Sequence, residues 1–157
     1  MRLTVYTDYA LRMLMYLAVK EDDLATIAEI ADSYKISRNH LMKVVHQLGI
    51  AGYVETVRGR GGGLRLGRPA SEISLGEVVR ATETDMVLVP CFDPTNLDCP
   101  LRRACVLRSA LAHARDAFIA VLDEYTLADL AAGPGAMRRM LGIGAAPAAL
   151  PGKTADI

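Results

Sequence analysis

The chain has 157 residues, 52% hydrophobic and 23% charged, with 18 Lys and Arg balanced by 18 Asp and Glu. This composition suits one compact core with an accessory element and excludes a disordered chain of low hydropathy and high net charge. Asp8 and Arg12 interrupt the apolar opening and no small-residue cleavage site follows, so neither a secretory leader nor a membrane span is expected, and the protein should be cytoplasmic.

The zero net charge hides a division. Residues 1–68 hold ten basic against seven acidic residues, and residues 69–157 eight against eleven. Between Lys35 and Arg68 the excess is sharpest, with Lys35, Arg38, Lys43, Arg58, Arg60, Arg65 and Arg68 set against Glu55 alone. A patch of this kind attracts phosphate.

In chain order, Thr7 is the expected N-cap of a helix reaching about Lys20, with Ala10, Leu11, Leu14, Leu17 and Ala18 on its buried face and Asp8 in its first turn. An acid there ordinarily complements the helix dipole. Thr26 and Glu29 spell a capping box for a second helix, with Ile27, Ile30 and Ala31 inward. Ser37 opens a third, whose apolar stripe is Leu41, Val44, Val45 and Leu48. Two short helices about a tight turn make a helix-turn-helix. The opposite face of the third helix offers Arg38, Asn39, Lys43 and Gln47, side chains able to reach base edges and phosphates. Next, Tyr53–Val57 and Leu64–Leu66 read as two strands joined by Arg58-Gly59-Arg60-Gly61-Gly62-Gly63, a basic glycine-rich tip. No phosphate-loop signature is present, and a helix-turn-helix followed by a hairpin is a winged helix, with Arg58 and Arg60 placed for the duplex.

Ser74 and Glu77 repeat the capping pattern and start a short helix through about Glu83. A turn-rich stretch, 90–100, leads to a long helical pattern from about Leu101 to Glu124. Its Leu107, Leu111, Ala114, Phe118, Ala120 and Val121 exceed what a small head covers, and a second copy of the chain is the natural cover. Thr126-Leu127 opens a last turn of helix, and the Ala-, Gly- and Pro-rich remainder is expected to be poorly ordered. The expected architecture is therefore mainly α with a small β hairpin: a winged helix-turn-helix head (1–83), a cysteine loop with a long dimerisation helix (84–131), and a disordered tail (132–157).

Cys91, Cys99 and Cys105 are the only cysteines and are spaced C-x7-C-x5-C. In a reducing cytoplasm such a cluster points to a metal or redox site more than to a disulfide framework. Three thiolates are one ligand short of a tetrahedral or cubane site. The intervals are wider than those of structural zinc sites, and His40, His46 and His113 stand at no customary zinc offset. No C-x-x-C and no nucleophile-base pair emerges, which argues against a thiol redox enzyme or any other catalyst.

The opening Met1-Arg2-Leu3-Thr4, the stretch Thr7-Asp8-Tyr9-Ala10-Leu11-Arg12, the wing 58–63, Cys91-Phe92-Asp93 and Thr126-Leu127 together resemble the Rrf-type winged-helix iron-sulfur regulators, and within them the nitric oxide-sensing repressors. The resemblance covers roughly residues 1–130, leaving out the tail. It implies a homodimer on a palindromic DNA operator with an iron-sulfur cluster, 4Fe-4S or else 2Fe-2S, on Cys91, Cys99 and Cys105. It further implies Asp8 of the partner subunit as fourth ligand, with nitric oxide releasing the DNA. A redox or iron-sulfur-status sensor on the same scaffold is the alternative. The biogenesis-regulator branch carries a histidine shortly after its last cysteine. Here Arg108 stands three residues beyond Cys105, and the next histidine is His113.

Overall fold

The computed structural model describes residues 2–21, 23–96, 98–101 and 104–144. Seven helices and one hairpin are described: α1 (Val5–Lys20), α2 (Ile27–Tyr34), α3 (Arg38–Ile50), β1 (Val54–Val57), β2 (Gly63–Leu66), α4 (Leu75–Thr82), α5 (Val106–Asp123), α6 (Leu127–Leu130) and α7 (Pro134–Leu141).

The first helix begins one turn earlier than the sequence suggests. Thr4, not Thr7, is its N-cap, accepting the Thr7 N–H at 3.2 Å, and Thr7 is buried inside the helix. The deciding contact is remote: Glu83, at the end of α4, accepts from the Thr4 backbone N–H at 2.8 Å and from its hydroxyl at 3.1 Å. Burial raises the Glu83 pKa, but hydrogen bonds from Thr7 and Thr4 outweigh it and hold the carboxyl below its usual range.

The Thr26–Glu29 capping box forms as written, and Lys35 closes α2 in the left-handed region at φ 55°. Leu41, Val44 and Leu48 bury α3 against Met13, Leu14 and Leu17 of α1 and Ile30 of α2. The strands pair antiparallel from Val54↔Leu66 to Val57↔Gly63. Ala25 ties the hairpin back to the head, exchanging two backbone hydrogen bonds with Leu64 at 2.9 and 2.7 Å. At the wing tip, Gly59 and Gly61 take φ of 109° and 79°, and a Cβ on Gly62 would stand 2.2 Å from the Val57 carbonyl oxygen. Only glycine fits that turn.

Beyond the wing the chain closes back on the same core. Leu127 is fully buried with Leu14 and Ile73, so the boundary expected at residue 83 does not divide the core. The C-terminal end of α5 is fixed to α4: Arg80 donates twice to the Asp123 carboxylate, at 3.0 and 2.6 Å, and Leu75 N–H donates to Tyr125 O at 2.9 Å. The helix starts later than expected, at Val106, because Cys105 caps it and the Ala104 N–H donates to Leu101 O at 2.9 Å instead of entering the helix.

The expected disordered tail is corrected for its first part. Pro134 suits a first helical turn, Met137 and Leu141 pack on the core, and Ile143 is buried. Arg138 donates at 2.9 Å to the Val19 carbonyl, an acceptor left over at the end of α1, and Ser33 Oγ donates to Leu141 O at 2.7 Å. Residues 145–157 lie outside the described residues.

Candidate functional site

All six residues expected to meet DNA are exposed: Arg38, Asn39, Lys43 and Gln47 on α3, Arg58 and Arg60 on the wing. The structure sorts the seven basic residues of this region. Arg65 is held by its cross-strand partner Glu55 at 2.9 Å. Arg68 is held by Glu77 and lies 4.9 Å from the Tyr53 ring centroid, and its hydrogen bond keeps the Glu77 carboxyl below its usual range. Arg38 stands 3.6 Å from an Asp32 oxygen. Lys35, Lys43, Arg58 and Arg60 make no ion pair among the described residues, so their charge is available to phosphate.

Sequence reasoning missed two side chains on the same face. His46 is exposed and falls in the outward row with Asn39 and Lys43, at helical spacings of four and three. Met42 is 51% exposed beside them. The periodicity that identified the buried stripe also identifies this row.

The three cysteines are free and half-buried. Cys91 sits in a single 3-10 turn, 90–92, and Cys105 is the N-cap of α5, its sulfur accepting the Arg108 N–H at 3.4 Å. The Arg108 side chain reaches back, donating from Nε to the Cys91 carbonyl at 3.2 Å. Seven residues on, the Arg115 guanidinium stands 5.3 Å from the Phe92 ring centroid. No group of three or more His, Cys, Asp or Glu among the described residues stands close enough to hold a metal ion. The donors nonetheless suit iron-sulfur chemistry: three thiols outside any disulfide share one turn-rich stretch, and one of them caps the N-terminus of α5.

Asp8 is half-exposed and pairs with Arg12 at 2.9 Å. With Thr4 as the cap, Asp8 lies in the fourth helical position and its own N–H is already bonded to Thr4 O at 3.1 Å. Dipole complementation there is weaker than at the helix start, since the effect fades within the first turn. The ring of its neighbour Tyr9 lies beside His40 of α3, tilted by 32° with ring centroids 6.1 Å apart, so the segment bearing Asp8 lies next to the third helix.

On α5 no residue is buried within one chain. The apolar positions divide: Leu111, Phe118 and Leu122 are half-buried, whereas Leu107, Ala110, Ala114, Ala117 and Val121 are exposed and repeat at 3-4-3-4 spacing. A repeat of this spacing is the kind that lines the seam between paired helices.

Residues 3–133 match the Rrf2 family model, described as iron-dependent transcriptional regulator. The chain belongs to the Rrf2 family. It is 50% identical over 142 residues to the HTH-type transcriptional regulator NsrR of Bacillus licheniformis, covering 90% of this chain and 99% of that protein. Against the NsrR of Bacillus subtilis it is 53% identical over 131 residues, 83% of this chain and 90% of that one. Among solved structures, CymR, the global cysteine regulator of Bacillus subtilis, matches with TM-score 0.70 at 28% identity, covering 84% of this chain and 97% of its own. The IscR of T. potens shares the fold, with TM-score 0.70 at 22% identity over 88% of this chain and 91% of its own. This Rrf2 protein is therefore a winged-helix transcriptional regulator, mainly α with one antiparallel hairpin. No described helix is long and apolar enough to cross a membrane.

Proposed function

We propose that this Rrf2 protein is a cytoplasmic, homodimeric repressor with nitric oxide as its signal. Its hold on a near-palindromic operator depends on an iron-sulfur cluster, 4Fe-4S in the first instance, held by Cys91, Cys99 and Cys105 with Asp8 of the partner subunit. The observation that carries this reading is the set of three free thiols on one loop outside the reading head, in a chain half identical to NsrR proteins over nearly its whole length. When bound, such a group supplies an iron whose hard, exchangeable carboxylate ligand yields to a small molecule more readily than thiolate does.

The chain's own residues then have distinct tasks. Arg38, Asn39, Lys43 and Gln47 read the major groove, and Arg58 and Arg60 grip phosphate. Asp8 links one subunit's head to the other subunit's loop, and through Tyr9 and His40 that link reaches α3. Two heads on a palindrome must stand about 34–36 Å apart or a multiple of it, so freeing Asp8 relaxes a spacing the DNA demands. A few kcal/mol of preference for the tied arrangement changes operator occupancy many-fold.

Asp8→Ala tests the link. The exposed Asp8–Arg12 pair contributes only about 0.3–0.5 kcal/mol, so the head should still fold. We expect the variant to assemble a cluster on the three cysteines with an altered visible spectrum, and to show little change in operator affinity on exposure to nitric oxide. A variant matching the parent in spectrum, affinity and nitric oxide response removes Asp8 from the mechanism. Release by oxidants but not by nitric oxide would instead indicate a redox sensor on this scaffold.

A further inference from the structure

We infer that Arg108 is a positioning residue for the cysteine set, holding Cys91 and Cys105 together so that one donor pair exists before Cys99 closes. This rests on the proposed assignment of the three cysteines. Among the described residues, Arg108 is the one whose hydrogen bonds reach both Cys91 and Cys105: its backbone N–H donates to the Cys105 sulfur at 3.4 Å and its side-chain Nε to the Cys91 carbonyl at 3.2 Å. The first contact is fixed by the fold, because Cys105 caps α5 and Arg108 is three residues along it. The second holds the 90–92 turn beside the first turns of α5.

The geometry is reinforced rather than incidental. Arg115 lies seven residues after Arg108, two helical turns on and on the same face of α5, and its guanidinium packs against the Phe92 ring. Two arginines of one helix face thus hold the 90–92 turn against α5. Each does so with the neighbour it reaches: Arg108 through the backbone of Cys91, Arg115 through the ring beside it. Cys99 lies in sequence between these two fixed points, so bringing it to them costs less entropy than gathering three independent ligands would. At 108 a histidine could supply a metal ligand. An arginine, always protonated and a donor only, cannot, and its use is to orient acceptors.

The test needs two readouts, one of which involves no metal. In the apoprotein with Cys99→Ser, a short bis-maleimide should bridge Cys91 and Cys105 efficiently, and Arg108→Ala should lower the bridging yield at least several-fold while Arg108→Lys, which can still donate to the Cys91 carbonyl, recovers part of it. In the cluster-loaded full chain, Arg108→Ala should shorten the lifetime of the visible absorption under an iron chelator by about tenfold, in the range seen for residues that orient metal ligands, again with partial rescue by lysine. Circular dichroism monitors folding of each variant. If Arg108→Ala equals the parent in either the bridging yield or the chelator lifetime, the positioning role is wrong. If the parent bridges efficiently but takes up no cluster, the iron-sulfur reading fails while the geometry of Arg108 stands.

Discussion

Ala114→Glu should leave the single chain folded, dissociate the dimer and weaken operator binding by about 100- to 10,000-fold, the gain that linking two binding heads provides. Ala114 is exposed in the chain and lies mid-way along the 3-4-3-4 row from Leu107 to Val121. Val106, Leu107 and Val121 are 81%, 66% and 52% exposed, apolar surface that a second α5 would cover. Small residues at 110, 114 and 117 let two helices approach closely, so a carboxylate there would be stripped of water without a partner, at a cost of several kcal/mol. Sedimentation should show a monomer with unchanged helix content. A stable dimer that binds the operator as the parent does would place the interface elsewhere.

The double variant Arg58→Ala/Arg60→Ala has the second largest expected effect. Each head loses two exposed cations that no acidic residue engages among the described residues, four per dimer. At about 0.9 per phosphate contact, the slope of log affinity against log salt should become shallower by roughly three to four units. Arg65→Ala is the control, since Arg65 is already committed to Glu55, and its effect on the slope should be small. Equal slopes for the parent and the double variant would remove the wing from the interface. A loss as large for Arg65→Ala would mean that net charge, not wing placement, sets the affinity.

What the sequence revealed and what it hid follow from the range of the interactions. The Thr26–Glu29 box, the stripe Leu41, Val44 and Leu48 with Val45 only half-buried at its margin, and the glycine-rich wing are decided within a few residues, and each formed close to where it was expected. The start of α1 was misplaced because Thr4 and Thr7 are both good caps, and the choice rests on Glu83, 79 residues away from Thr4. The helix α7 was missed because its anchors, the Val19 carbonyl and Ser33, are equally remote. In the site, residue type and spacing pointed to the cysteines and the basic patch. They could not separate Arg65 and Arg68, spent on Glu55 and Glu77, from Arg58 and Arg60, nor show that Arg108 reaches back to Cys91.

The most direct test of the central claim is a paired measurement on anaerobically isolated protein: visible absorption and operator affinity, before and after a stoichiometric addition of nitric oxide. A cluster-dependent nitric oxide sensor should show iron-sulfur absorption with tight, salt-sensitive operator binding, and should lose both together on the addition. Protein that binds the operator equally well without a cluster, or that keeps its affinity after the absorption has collapsed, would contradict the claim.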